Sequence, residues 1–261
     1  MLKGLFYPYT PTGASSIIPD LPWSYAGNIF AVEYRADMDK AATLLPDGFR
    51  AVSDKCAVFF CDWQASAASG AGYLDPVRSQ YLEAFFLIEC EYRGETKAYC
   101  PFIWVDNDTA LLRGLLQGFP KQLGDIGMTR VMPVPSAASP VYGPGNAFAG
   151  TCAAKNRELF SVKVTAREKA DHLPDPNFGQ VINRLTIPDL RAGHIGETLF
   201  EMIVKKTNSS DVHVSDIWQG DAEFRLNTDY YPDLGLMAPV KVGKGYVFSF
   251  AFTVQSLEYD L

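Results

Sequence analysis

The sequence predicts a mainly β fold with a few short helices (α+β), built as a closed or nearly closed antiparallel sheet. Two observations predict it. Runs rich in aromatic and β-branched residues recur along the chain, separated by Gly, Pro and Asn/Asp turn signals. Only two or three stretches carry helical periodicity. Many short strands with so few helices suit one sheet rolled on itself better than layered βαβ units.

The elements follow in order. Residues 1–22, "MLKGLFYPYTPTGASSIIPDLP", are rich in Pro, Gly and Ser and read as a surface arm. "NIFAVEYRAD", 28–37, reads as a strand. "DMDKAATLLPDGF", 37–49, reads as a short helix capped by Asp37 or Asp39 and ended by Pro46 and Gly48. "AVFFCDW" and "YLEAFFLIECEYR" read as core strands, and "TKAYCPFIWV" as one more. Asp106 or Asp108 caps the next helix, whose Leu111, Leu112, Leu115 and Leu116 share one face; Gly118 stops it. Beyond it "MTRVMPV", "NAFAGTCAA", "LFSVKVTA", "NRLTIPDL" and "KGYVFSFAFTV" read as short strands. "ETLFEMIVKKT" fits helix or strand. The glycine-bearing pieces at 66–72, 142–150 and 242–245 read as turns. No internal repeat or low-complexity linker appears, so residues 1–261 are expected to form a single domain.

Composition narrows the function. The 261 residues carry a formal net charge of -7 with a pI near 5. No basic stripe of the kind nucleic acid requires is visible. Lys205 and Lys206 are the one adjacent basic pair and read as solvated surface. No run of ~18 apolar residues exists, so no membrane span is expected. Five cysteines without a CxxC, in a chain whose start lacks the pattern of a secretion signal, fit reduced thiols in the cytoplasm. On that reading the sequons at Asn107 and Asn208 carry no sugar. The three histidines lie far from one another and from cysteine at metal-ligand spacing, so no metal site is expected. No nucleophile elbow and no P-loop is present. The cysteines Cys61 and Cys90 lie in apolar strands, where a thiol is usually inert.

Lys121 stands apart. It follows the broken helix in "LLRGLLQGFPKQLGDI", residues 111–126, with Phe119, Pro120, Gln122 and Leu123 around it. Taken bare, such a lysine lays its stem on apolar neighbours and keeps its head in water. The functional alternative is imine chemistry, which needs a neutral amine. Lowering a lysine pKa from ~10.4 to ~7 takes about 4.6 kcal/mol. The negative end of the preceding helix opposes that change. Burial or a neighbouring cation must supply it.

Four stretches in order resemble the acetoacetate decarboxylase-like superfamily: "PWSYAGNIFAVEYRAD", "AATLLPDGF", "QYLEAFFLIECEY" and "QGFPKQLGDI". They run from about residue 22 to 126; the second half matches only in strand character. The resemblance implies an antiparallel β-barrel or β-cone, no cofactor, and a homo-oligomer. Carried over by position, it makes Lys121 the Schiff-base lysine, Arg35 the active-site arginine and Glu83 the core-strand glutamate. Tyr81, Gln117, Phe119 and Trp23 become pocket-lining groups; read bare, Trp23 and Tyr25 near the arm are core aromatics. Tyr81 and Glu83 share a strand face by alternation. The founding decarboxylases have a second lysine after the first; Gln122 stands there instead, leaving Arg35 or Arg113 as the nearby cation. On that ground the resemblance implies a lyase that condenses a small oxo acid such as pyruvate with an aldehyde and then removes water. Decarboxylation of a 3-oxo acid is the alternative. A barrel that only binds a small apolar acid or a carotenoid-like ligand is the reading from another class.

Overall fold

The computed structural model describes residues 1–68 and 70–260, with the backbone alone at Lys206. The strands are β1 (Trp23–Ala36), β2 (Phe49–Ser66), β3 (Gln80–Tyr92), β4 (Glu95–Tyr99), β5 (Ile103–Val105), β6 (Lys121–Leu123) and β7 (Asp125–Met128). They continue as β8 (Ala147–Ala154), β9 (Arg157–Ala170), β10 (Val181–Pro188), β11 (Thr198–Val214), β12 (Ile217–Leu226) and β13 (Pro239–Asp260). The helices are α1 (Met38–Ala42), α2 (Pro76–Ser79) and α3 (Asp108–Leu116). The hydrogen-bonded order is β1-β2-β3-β4-β10-β11-β13-β12-β9-β8-β7, and β1 also pairs with β13. That last pairing closes a circuit of seven strands, β1-β2-β3-β4-β10-β11-β13, so none of these has a free edge.

The central strands are buried on both faces. Phe30, Val32, Val58, Phe60, Ala84 and Phe86 pack into one apolar layer. Their alternate neighbours Ile29, Ala31, Phe59, Cys61, Phe85 and Leu87 pack into another. This is why "AVFFC" and "AFFLI" read as continuous apolar runs and not as alternation. Residues 1–22 lie outside the sheet, joined by a Lys3–Thr10 bridge, and sink Ile18 completely into the second layer.

The sheet is mixed, where an antiparallel one was expected. β5 and β6 pair in parallel, as do β4 and β10. The first pair follows from α3: a helix between two strands returns the chain to the same end, so the strands run alike. "TKAYCPFIWV" is two strands, since Pro101 has no amide hydrogen for the ladder. Several strands are long, β13 reaching 22 residues. "VGKG" lies inside β13 and is no turn; Val164 and Glu33 approach Gly245 and Gly243 so closely that a Cβ would clash. Past Met128 "MTRVMPV" leaves the sheet, "ETLFEMIVKKT" is mostly β11, and "IWQGDAEFRL" forms a strand that the sequence did not announce. Asp37 caps α1 through the amides of Asp39 and Lys40. Asn107, not a neighbouring aspartate, caps α3 through the amide of Ala110, while Asp106 accepts from the Leu82 amide instead.

Candidate active site

The β5–α3–β6 unit delivers Lys121. Gln117 ends α3, and Gly118 at φ +75° turns the chain. A side chain there would be strained and would meet the β10 backbone at Arg184 and Leu185. Lys121 then opens β6 beside Ile103. Its stem lies flat against α3, and Gly114 makes this contact feasible: a Cβ on Gly114 would stand 2.3 Å from Cδ and Cε of Lys121.

The Lys121 side chain is 7% exposed, and its Nζ donates to Glu83 Oε2 at 2.5 Å. Glu83, on β3 between Cys61 of β2 and Val105 of β5, also accepts from Trp63 Nε1 at 3.3 Å. The rings of Tyr81 and Phe119 lie 5.6 Å and 5.8 Å from Nζ. A buried carboxylate would be costly alone; here two donors satisfy it.

A second buried cation shares the site. Arg113 of α3 is 4% exposed, with its guanidinium 4.9 Å from the Tyr25 ring and 5.7 Å from those of Trp23 and Tyr81. Among the described residues it has no ion-pair partner. Burial pushes its pKa down, but the phenol oxygens of Tyr25 and Tyr81, with Glu83, outweigh this and hold it above the ordinary value. Burial raises the Tyr25 phenol to about 12, Arg113 pulling it down and Glu83 pushing it up. Burial and then the Glu83 charge place Tyr81 well above its usual range. Both phenols stay protonated and can donate.

These groups line a cavity of about 530 Å³. Tyr81, Glu83 and Phe85 reach it from one face of β3; Arg113, Gln117, Phe119 and Lys121 come from the α3–β6 segment, and Phe178, Phe250 and Phe252 close the apolar side. Trp23 does not line it: it is buried behind Arg113 and donates to the Pro19 carbonyl.

Three expectations need correction, at Arg35, Gln122 and Lys205. Arg35 is exposed and pairs with Asp54 at 2.6 Å, outside the cavity. Arg35 and Tyr25 share β1, but ten residues at about 3.3 Å each put them about 33 Å apart along it. The buried arginine at the site is Arg113. Gln122 points away from Lys121, as strand alternation requires, and donates to the Tyr231 hydroxyl at 2.8 Å. Its neutrality therefore removes no cation from the Lys121 side. Lys205, expected on solvated surface, is half-buried and lines the cavity; the Lys206 side chain lies outside the described residues. Sequence reading also missed Gly114, Trp63 and Asn183. Of these, only Gly114 left a signal, a helix-interior glycine seven residues before the lysine.

A family model described as acetoacetate decarboxylase (ADC) matches residues 6–261. The chain belongs to the acetoacetate decarboxylase family. Among solved structures, the enduracididine biosynthesis enzyme MppR, complexed with the condensation product of pyruvate and imidazole 4-carboxaldehyde, is 31% identical over 99% of this chain and 97% of its own, with a TM-score of 0.91. MppR complexed with pyruvate gives 0.90 at the same identity, covering 99% and 98%. An acetoacetate decarboxylase-like enzyme from Sphingomonas wittichii RW1 shares the fold at 23% identity, TM-score 0.87, covering 99% of each chain. No curated protein matches. The acetoacetate decarboxylase fold thus extends over the second half of the chain, where the sequence motifs fade.

Proposed function

We propose that this protein is an imine-forming carbon–carbon lyase that condenses pyruvate, or a close 2-oxo acid, with an aldehyde and then eliminates water. The observation that carries the reading is the pairing of a buried Lys121 amine with Glu83 at 2.5 Å inside an aromatic-walled cavity. Glu83 takes the ammonium proton, leaving a nucleophilic amine. Lys121 Nζ attacks the carbonyl carbon of the oxo acid, Glu83 returns the proton to the carbinolamine hydroxyl, and water leaves. Arg113, buried and without a carboxylate of its own among the described residues, suits the oxo-acid carboxylate.

The protonated imine is an electron sink. Glu83 accepts a methyl proton, and the resulting enamine carbon bonds to the aldehyde carbon. The new alkoxide takes its proton from Glu83. A second deprotonation at the same carbon by Glu83 expels the hydroxyl, which departs as water on receiving that proton; Tyr81 stands near to relay it. Hydrolysis releases an unsaturated 2-oxo acid and regenerates Lys121.

Cavity size supports two substrates. About 530 Å³ is ample for a drug-sized ligand, and a small oxo acid alone leaves most of it empty. Similarity to MppR, which was seen with pyruvate and with a pyruvate–aldehyde condensation product, supports the same choice. Decarboxylation of a 3-oxo acid keeps a place because the family model bears that description.

Borohydride reduction after mixing with pyruvate, followed by intact mass and peptide mapping, tests the reading. A stable adduct on Lys121 is expected. Absence of any adduct with pyruvate or acetoacetate overturns it and leaves a binding protein. Rapid carbon dioxide release from acetoacetate, with no enone absorbance from pyruvate plus an aldehyde, would assign the decarboxylase instead. Five free cysteines, all buried, suit a cytoplasmic enzyme. The exposed Leu190, Ile195 and Leu199 around the β10–β11 turn suit a homo-oligomer, which light scattering would detect.

A further inference from the structure

The cavity is cationic in an acidic protein. Among the described residues its charged lining is Lys97, Arg113, Lys121 and Lys205 against the single carboxylate of Glu83, while the whole chain carries -7. Lys121 is taken up by Glu83, and Arg113 suits one carboxylate. Two lysines remain.

They sit on one wall. β4, β10 and β11 are neighbours in the sheet, with Ala98 opposite Val181 and Asn183 opposite Val204. Lys97 therefore stands one residue from the strand position that faces β10. Lys205 follows Val204, and by simple alternation it would point to the other face. A bulge prevents this: against β13, Val204 pairs with Tyr259 and Lys206 with Glu258, so Lys205 is the extra residue. A bulge re-aims a side chain, and Val204 and Lys205 both line the cavity. Lys97 bonds to the exposed Glu95 at 2.7 Å. Lys97 first, and Lys205 last and most weakly, hold the Glu95 carboxyl below its ordinary value. That solvent-accessible carboxylate pairs with Lys97 alone, and Lys205 has no ion pair of its own among the described residues. Asn183, nearly fully buried on the same wall, leaves its side-chain Oδ1 without a hydrogen-bond partner.

We propose that Lys205, with Lys97 beside it, forms a second anion subsite that reads a carboxylate on the aldehyde partner. The condensation then joins two acids, and its product is an unsaturated dicarboxylate. That the ligand is an aldehyde rests on the imine reading; that the wall takes a second carboxylate does not.

The test measures binding without chemistry. 4-Carboxycinnamate and its 4-methyl ester, alike in shape and different by one charge, are titrated calorimetrically into the full chain. The dicarboxylate is expected to bind at least about 10-fold more tightly, as a charge-assisted contact gives. Added salt should narrow that ratio. Lys205→Met should remove most of the preference, and Lys97→Met part of it. Equal affinity for the two compounds in the wild type overturns the proposal, and so does a ratio that Lys205→Met leaves intact. Pyruvate trapping on the same preparation judges Lys121 separately. A missing adduct with a strong dicarboxylate preference removes the lyase and keeps the subsite; an adduct without that preference does the reverse.

Discussion

Replacing Gly114 with alanine isolates the device that holds the Lys121 amine, the nucleophile of the proposed reaction. Two effects oppose each other. Alanine is favoured over glycine in a helix by about 1 kcal/mol. Against this, the new Cβ would lie 2.3 Å from two carbons of Lys121 and 3.0 Å from a third, where contact between carbons needs about 3.5–4.0 Å. The stem must shift by an ångström or more. Overpacking of this kind costs about 1–3 kcal/mol, so net destabilisation should fall between about 0 and 2 kcal/mol. At roughly 2–4 °C per kcal/mol for a chain of this size, Tm falls by no more than about 8 °C. Function should suffer far more. Nζ leaves its 2.5 Å contact with Glu83, and a 1 Å misplacement of a reacting group costs about 100-fold. The assay is the rate of borohydride-trapped pyruvate adduct, followed by mass, beside a thermal melt. A folded Gly114→Ala protein that forms adduct at the wild-type rate would refute the claim that this glycine seats the lysine.

Lys121→Arg should fold and form no adduct, because guanidinium stays protonated; turnover at the wild-type level would show that another residue carries the chemistry. Glu83→Gln should cost about 3–5 kcal/mol in chemical unfolding, since it strands a buried ammonium, and should also abolish trapping; a loss below about 1 kcal/mol would mean the pair is open to water. Stability should fall between pH 10 and about 12: Tyr25 holds its proton more tightly when folded than unfolded, so its contribution is complete below pH 10 and lost as pH rises through the folded value. Tyr25→Phe should flatten that limb by about 2–3 kcal/mol, and an unchanged alkaline limb would count against burial of this phenol. Gln122→Lys should leave the pH dependence of adduct formation in place, because position 122 faces Tyr231; a profile displaced toward lower pH by about one unit or more would mean that the new cation reaches Lys121.

Local chemistry made much of this protein legible. Aromatic and β-branched runs marked β1, β2 and β3, and Asp37 marked the start of α1, although the helix ends at Ala42, short of Pro46 and Gly48. The break at Gly118 and Pro120 pointed at Lys121, and alternation set Tyr81 and Glu83 on one face. These signals depend on neighbours a few residues apart, so a linear reading reaches them. Pairing between distant segments was out of its reach. Only the folded chain decides that β1 meets β13, that Arg113 and not Arg35 stands by the amine, and that a bulge swings Lys205 inward. An arginine looks the same in sequence whether it ends on the surface or under three aromatic rings. Which it becomes depends on long-range register, and register is set by the packing of whole faces against one another.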